Sequence, residues 1–244
     1  MEPEVYLRHL KNEESHWWFK GRRKIIHSII EKNFNIKDRK LNILDFGSRS
    51  GTNIKMLSFF GNVFAYEKNK SIADILKNKF KSSENIKIID SFENENFYDL
   101  IIAADVIEHI EDDKEIIKQL FKCLKKRGKI LATVPAYQFL FSNKDKALHH
   151  YRRYTKNSLN NLFREKYKIL KTSYFNFFLF IPISISILLM KLFNIQFIDT
   201  VEKKPNFFIN GILYYLFSSE SIFFKFTNFP CGISILIFCE KDSI

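Results

Sequence analysis

A short cluster of acidic and basic side chains near the middle of the chain could carry general acid–base chemistry. In the stretch DVIEH, Asp105, Glu108 and His109 are spaced so that one helical turn would bring them to the same face. Carboxylates and imidazoles commonly accept protons from reacting groups. We therefore regard Asp105 and His109 as candidate catalytic residues. The alternative for Glu108 and His109 is that they cap a helix and fix the loop.

A second cluster combines histidine with arginine. In the stretch HHYRRY, Arg152 and Arg153 could fork around a phosphate or carboxylate, and Tyr154 follows them as a third substrate-binding candidate. We expect His150 to be the general base. Surface salt bridges are the alternative for the arginines.

The stretch LDFGSRSG, residues 44–51, predicts a ligand-binding turn. Gly47 and Gly51 permit a tight turn in which backbone N–H groups and a helix N-terminus face the ligand. Glu67 ends the next apolar run, about 20 residues downstream, where an acidic side chain commonly accepts hydrogen bonds from a ribose diol. This order of features indicates an adenosine-cofactor site, with a tight turn beside a surface glutamate as the alternative.

The elements that must position these residues alternate between apolar runs and helix-period segments. Strands are predicted at residues 41–46, 62–67, 85–90, 98–105 and 129–135. Helices are predicted at residues 52–60, 71–81 and 112–127, the last ending just before Gly128. The alternation predicts an α/β fold with a doubly wound sheet. The link between residues 90 and 98 is too short for a helix, so we expect an extended loop there.

Composition limits the class of protein. The chain has 244 residues and a net charge of +12, which suits phosphates, anionic lipid or nucleic acid, or else a solvated basic surface. The three cysteines have neither metal-knuckle nor disulfide spacing, and the charged N-terminus has no apolar signal segment. We expect a cytoplasmic protein. Nucleic acid is not an expected partner, because no aromatic and basic stacking platform is present.

The ordered motifs LDFGSRSG, AYE, FYDLIIAADVIEHI, LKKRGKILATVPAY and GISILIFCEK resemble class I S-adenosylmethionine-dependent methyltransferases. A nearer resemblance is to a bacterial and archaeal subgroup with HWWF..RR and D....H.RRYT motifs, which read HWWFKGRRKII (16–26) and DKALHHYRRYT (145–155) here. The resemblance implies a Rossmann-like seven-stranded doubly wound sheet with an antiparallel last pair. It also implies methyl transfer from S-adenosyl-L-methionine.

The resemblance also implies the residues that hold this cofactor. The glycine turn would approach its methionine part and Glu67 its ribose. Asp90, Ser91 and Phe92 would approach its adenine, and Asp105 its reactive sulfonium. Arg49 stands where the family usually has glycine. The expected cofactor-binding residues are Asp45, Gly47, Ser48, Arg49, Gly51, Glu67, Lys68, Asp90, Ser91, Phe92, Ala104 and Asp105.

A metal ion is a further option for the DVIEH cluster. Resembling groups that methylate quinone rings and the ends of small RNAs hold a divalent cation with an E-x-x-E-H motif. This chain has Asp105 in place of the first glutamate, and one of the paired histidines could complete the set. We expect no metal here and keep the cation as the alternative.

The chain divides into four predicted segments. Residues 1–35 form an N-terminal helical lid, in which Trp18 and Arg22 are substrate-binding candidates; core packing is the alternative for its aromatic residues. Residues 36–171 form the cofactor-binding core, residues 172–228 an apolar helical insertion between the last two strands, and residues 229–244 the last strand.

The apolar insertion suggests contact with lipid. Residues 172–190 carry no charge, but a single span there would leave the last two strands on opposite sides of a membrane. We expect an interfacial insertion, with a buried cap or a dimer interface as alternatives.

The function expected from these features is O-methylation of an amphiphilic or anionic acceptor, such as a lipid-linked or envelope-glycan precursor. The enzyme would be cytoplasmic, with peripheral contact to the inner face of the cell membrane. The alternatives are a non-catalytic binding module and a methyltransferase of a soluble small molecule.

Overall fold

A computed structural model of the protein describes residues 13–34, 40–193, 204–224 and 226–242. The strands are β1 (Leu41–Phe46), β2 (Gly61–Tyr66), β3 (Ile86–Ile89), β4 (Tyr98–Ala104), β5 (Leu124–Pro135), β6 (Tyr167–Phe175) and β7 (Ser234–Lys241). The helices are α1 (Trp17–Asn33), α2 (Thr52–Leu57), α3 (Lys70–Phe80), α4 (Asp113–Cys123), α5 (Asn143–Ala147), α6 (Lys156–Phe163), α7 (Phe180–Leu192) and α8 (Phe207–Phe223). Short 3-10 helices cover Ile107–His109 and Gln138–Leu140.

The seven strands form one sheet in the order β3-β2-β1-β4-β5-β7-β6. β1 pairs in parallel with both β2 and β4, while β7 is antiparallel to β5 and β6. This confirms the predicted doubly wound sheet and its antiparallel end. Because β1, β2 and β4 run in the same direction, the loops after them meet at one edge, where open α/β sheets bind ligands.

The predicted helix over residues 112–127 is wrong at its C-terminal end. α4 stops at Cys123, and Leu124 already pairs with Tyr98 of β4. Nζ of Lys125 lies 2.9 Å from Oδ2 of Asp99 on the same neighbouring strand. The lysines after Cys123 favour a helix locally, but backbone pairing with β4 and the Asp99 carboxylate outweigh that preference.

The N-terminal helix packs against the second helix of the insertion. Gly21 of α1 faces Phe217 of α8 so closely that a Cβ atom would overlap the ring. Trp18 stacks on the same ring, with centroids 5.2 Å apart. The Asn210 side chain of α8 accepts a hydrogen bond from the backbone N–H of Trp17 at 2.9 Å. The predicted lid and the predicted insertion therefore contact each other directly.

The insertion contributes two helices, α7 and α8, and its predicted start at residue 172 falls inside β6. β6 continues to Phe175, four residues past position 171. Glu220 of α8 accepts hydrogen bonds from the backbone N–H groups of Asn176 and Phe177, both at 2.7 Å, which ties α8 to the end of β6. Within the described ranges, no helix combines the length and apolar character that crossing a membrane requires.

Candidate active site

The glycine turn forms at the carboxyl end of β1. Gly47 and Gly51 have φ angles of 78° and 73°, a left-handed region that glycine enters without a steric penalty. The backbone N–H groups of Gly47 and Ser48 donate to the carbonyl oxygen of Tyr66 at 2.9 and 3.1 Å, which joins the turn to β2. Arg49 also has a positive φ of 41°, although it has a side chain. The turn therefore keeps the backbone shape of a glycine loop at Arg49.

Glu67 follows β2 and bonds to the same turn. Its Oε2 accepts a hydrogen bond from the backbone N–H of Arg49 at 2.9 Å, and its Oε1 accepts one from Asn69 at 2.9 Å. Each carboxylate oxygen has a second lone pair, so ribose hydroxyls can still donate to Glu67. The buried Asp45 lies at the end of β1, and burial raises its pKa to about 7. The turn and Glu67 fit the methionine and ribose contacts that the resemblance implies.

The residues expected near adenine lie beyond β3. Phe92 is buried, and its ring centroid lies 4.9 Å from that of Tyr66. Asp90 is exposed and pairs with Lys77, with 2.9 Å between Oδ1 and Nζ. Two further candidates are exposed beside this edge, Lys68 and Ser91. Phe92 thus supplies an aromatic wall, while the polar candidates face solvent.

Asp105 follows Ala104 at the end of β4 and ion-pairs with Arg22 of α1. Its other carboxylate oxygen, Oδ1, accepts a hydrogen bond from the hydroxyl of Thr133 at 2.7 Å. The φ angle of Asp105 is 56°, so the chain turns sharply as it leaves the sheet. Arg22, expected to bind substrate, instead holds the aspartate that was expected beside the sulfonium.

Glu108 and His109 lie in the 3-10 helix that follows. Glu108 is fully buried, and neither carboxyl oxygen has a hydrogen-bond partner in another described residue. Burial and the nearby Asp105 raise the pKa of Glu108 well above its ordinary value. Burial and the neighbouring His150 lower the pKa of His109 to about 4. Burial therefore disfavours the charged form of both side chains.

Asp145 begins the DKALHHYRRYT stretch but is not a predicted site residue, and it orients His150. Nδ1 of His150 lies 2.9 Å from Oδ1 of Asp145, and Arg153 donates to the same carboxylate from Nε at 2.8 Å and Nη2 at 2.9 Å. Burial opposes ionisation of Asp145, but the hydrogen bonds from His150 and Arg153 hold its pKa below the ordinary range. An ionised carboxylate only accepts, so Nδ1 of His150 donates to Asp145, and in the neutral ring Nε2 keeps the lone pair that a base needs.

Arg152 and Tyr154 bind a different aspartate. Nη1 of Arg152 lies 2.7 Å from Oδ2 of Asp113, and the buried Tyr154 hydroxyl donates to the same oxygen at 2.8 Å. Neither residue lines the cavity described next. Each arginine pairs with an aspartate of the chain, as in the salt-bridge alternative, and anion binding by the two arginines stays a prediction.

A cavity of about 550 Å³ opens beside these groups. Asp105, Glu108, His109 and His150 line its polar end, and the rings of the two histidines meet edge-on with centroids 4.5 Å apart. Arg49 also lines it, so the cavity borders the cofactor turn. Its apolar wall comes from α1 and α7 and includes Trp17, Trp18, Phe19, Pro182, Ile183, Ile187 and Met190.

Glu108, His109 and His150 also have the geometry of a possible metal centre. One ligand atom from each residue lies within 4.8 Å of the others. A carboxylate with two imidazoles suits a divalent transition metal, and the unpartnered Glu108 oxygens fit that role. The structure thus brings together three of the four side chains of the metal alternative, with His150 as the second histidine, whereas Asp105 pairs with Arg22.

Comparison with known proteins identifies the class. A model of the methyltransferase domain matches residues 18–167, which is more than half of the chain. The chain therefore belongs to this family of methyltransferase domains, and its sheet has the fold of class I methyltransferases.

Curated relatives are similar to about half of this chain. A ubiquinone biosynthesis O-methyltransferase of Rickettsia bellii (strain OSU 85-389) is 34% identical over 139 residues, covering 48% of this chain and 57% of the relative. The enzyme of the same name from Rickettsia typhi is 32% identical over 146 residues, covering 52% and 59%. The match therefore spans less than two thirds of these relatives.

Solved structures share the fold. Phosphoethanolamine N-methyltransferase 2 of Haemonchus contortus superposes with a TM-score of 0.57 at 16% identity, covering 89% of this chain and 52% of that one. N-methyltransferase NodS of Bradyrhizobium japonicum gives a TM-score of 0.55 at 10% identity, covering 91% and 95%.

Proposed function

We propose that this enzyme methylates an oxygen on an amphiphilic acceptor, such as a lipid-linked or envelope-glycan precursor. The observation that supports this most is the composition of the cavity. Its polar end contains His150, whose neutral ring has a lone pair on Nε2, and its wall is apolar along α1 and α7. An acceptor with a reactive hydroxyl and an apolar body fits both ends. The O-methyltransferase name of the curated relatives supports oxygen over nitrogen.

Each residue of the polar end has a distinct task in this proposal. S-adenosylmethionine would supply, when bound, a strongly electrophilic methyl group, and its carbon–sulfur bond would break to leave S-adenosylhomocysteine. Asp145 and Arg153 hold the His150 ring, and Nε2 of His150 accepts the proton that the acceptor hydroxyl loses as its oxygen bonds to carbon. Trp18 and the other wall residues exclude water from the reacting groups. The alternative is a divalent ion held by Glu108, His109 and His150, which would lower the pKa of the acceptor hydroxyl.

Helix α7 supports a location at a membrane surface. Ile183 and Ile187 face the cavity, whereas Ile181, Ile185 and Leu192 are exposed on another side of the helix. Phe207 and Phe208 of α8 are also exposed, at 81% and 79%. A helix that is apolar on both sides beside a basic chain suits the boundary of an anionic bilayer. We propose peripheral contact through these outer faces.

Mass spectrometry of lipid and glycan extracts tests the acceptor class. Cells that contain the enzyme should hold a species heavier by one CH₂ group than the species found without it, and His150→Gln should abolish the difference. Equal activity on soluble small molecules, with no binding to anionic vesicles, would refute the amphiphilic acceptor. Calorimetry with S-adenosylmethionine distinguishes a non-catalytic module, because a protein without a cofactor pocket gives no binding heat.

A further inference from the structure

An anionic acceptor would bind most readily where positively charged side chains line the cavity. The arginine pair that the sequence offered is committed to Asp113 and Asp145. Two lysines, Lys144 and Lys191, also line the cavity. They belong to α5 and to the last turn of α7, which were far apart in the sequence.

The acidic residues of the cavity wall are already engaged. Asp105 pairs with Arg22, and Asp145 with Arg153. The Glu13 carboxylate accepts a hydrogen bond from the Ser50 hydroxyl. The remaining acid, Glu108, is fully buried in an environment that favours its neutral form. The negative charges of Asp105 and Asp145 are therefore balanced by arginines.

The two lysines line the cavity where it meets solvent, and we call this part of the cavity the rim. Nζ of Lys191 donates to the carbonyl oxygen of Phe139 at 2.9 Å, a neutral partner. Phe139 lies in the 3-10 helix just before α5, and Lys144 stands in the first turn of α5. Both lysine side chains are exposed, so their ammonium groups reach solvent at the mouth of the cavity.

The half-buried His16 lies within electrostatic reach of cations at this rim. His16 lines the same cavity, and its pKa is lowered to about 4 by burial and then by Lys144 and Lys204. Lys204 adds a third cation beside the rim. An anion placed here would meet several cations at short range, and ammonium groups bind phosphate and carboxylate well.

The apolar part of the cavity begins at this rim. Met190 precedes Lys191, and Ile187 and Ile183 continue the wall along one face of α7. We propose that Lys144 and Lys191 bind an anionic group, phosphate or carboxylate, of an amphiphile whose apolar chain lies along this face of α7. This inference rests on the proposed function, because it names the class of acceptor that the cavity selects.

Calorimetry with two single-chain probes tests the site. Decyl phosphate and the uncharged decyl glucoside, each kept below its micelle concentration, are titrated into the full protein with S-adenosylhomocysteine present. We expect decyl phosphate to bind more tightly. The double variant K144Q/K191Q should weaken decyl phosphate about tenfold and leave decyl glucoside within about twofold, because only the charge contact is removed.

A matched pair of lysines controls for general electrostatics. Lys87 and Lys126 are exposed and do not line the cavity, so K87Q/K126Q makes the same change in net charge elsewhere. Equal weakening by both double variants would overturn the inference, as would equal affinity of the unaltered protein for the two probes. Competition by inorganic phosphate alone, without loss of decyl glucoside, would show that the rim recognises the anion itself.

The outcome is separable from that of the proposed function. Lysine-dependent binding of decyl phosphate by a protein that methylates no lipid or glycan would refute the proposed function and leave the anion site standing. Methylation of an amphiphile with unchanged KM in K144Q/K191Q would support the proposed function and refute the anion site.

Discussion

Arg22 of the N-terminal helix ion-pairs with Asp105 at the end of β4, and so joins the lid helix to the centre of the candidate active site. Both side chains are largely buried, at 8% and 19% exposure. A buried pair of this kind makes each partner depend on the other, because removing one leaves a desolvated charge. The position of α1 is thus linked to the acid beside the cofactor turn.

A double-mutant cycle measures that link. We expect Arg22→Gln to lower the free energy of unfolding by about 3 kcal/mol, since Asp105 then lies buried without its cation. Asp105→Asn in the same chain should restore a large part of the loss. Urea unfolding of the four proteins gives the coupling energy, and additive effects of the two substitutions would contradict the pairing.

Gly21 gives a second prediction, about the contact between α1 and α8. Alanine at Gly21 would overlap the Phe217 ring, which is fully buried and cannot move aside, so Gly21→Ala should destabilise the protein by about 1–3 kcal/mol. Gly211 in α8 is the matched control, because a Cβ there meets nothing within 4 Å. Gly211→Ala should stabilise by about 0.5–1 kcal/mol through helix propensity. Thermal unfolding of both variants compares them, and equal shifts would refute the close approach.

The buried Asp45 predicts a pH dependence. Burial raises its pKa from 3.8 to about 7 in the folded protein. Between these values the unfolded chain releases the proton and the folded chain keeps it, so rising pH favours unfolding. We expect Asp45 to contribute a loss on the order of 3 kcal/mol from pH 4 to pH 7, and no further change well above pH 7.

Asp45→Asn is the test, because an amide of the same shape does not titrate. The free energy of unfolding of this variant, measured by urea titration across the same pH range, should fall less steeply than that of the parent. Parallel curves for the two proteins would show that Asp45 ionises normally in the folded state.

Arg49 gives a prediction about backbone strain in the cofactor turn. Its φ of 41° costs a non-glycine residue about 1 kcal/mol, so Arg49→Gly should raise the free energy of unfolding by that amount. The backbone N–H that bonds to Glu67 is kept, so affinity for S-adenosylhomocysteine in calorimetry should be equal or higher. Weaker binding would instead show that the Arg49 side chain contributes to cofactor binding. Asn96→Gly, at a similar φ of 52° outside the cavity lining, is the control for strain alone.

The cluster of Glu108, His109 and His150 could act in two ways, with His150 as a metal-free base or with all three side chains as ligands of a metal ion. We expect His150 to act as a base without a metal, so that EDTA leaves the rate of methyl transfer within about twofold and His150→Gln lowers kcat by about 100-fold or more. Loss of activity on chelation, restored by Mn²⁺, would assign the three side chains to a metal ion instead. Glu108→Gln would then abolish the response to Mn²⁺.

Local sequence determined the features that depend on neighbouring residues. Apolar β-branched runs marked β1 to β5 because strands buried on both faces exclude polar residues, and Gly47 and Gly51 marked a turn that needs left-handed backbone. The order of strand, turn, helix and acid was therefore enough to predict the sheet and the cofactor edge. The end of α4 was not, because pairing between Leu124 and Tyr98 is a long-range contact.

Tertiary structure alone decided which charged side chains pair with each other. The sequence placed Arg152 beside Arg153, but folding brings Asp113 to one and Asp145 to the other, and it carries Arg22 across the chain to Asp105. It also gathers Lys144 and Lys191 at one rim of the cavity. The role of a charged side chain depends on which opposite charges the fold brings within a few ångströms, and no spacing along the chain records those distances.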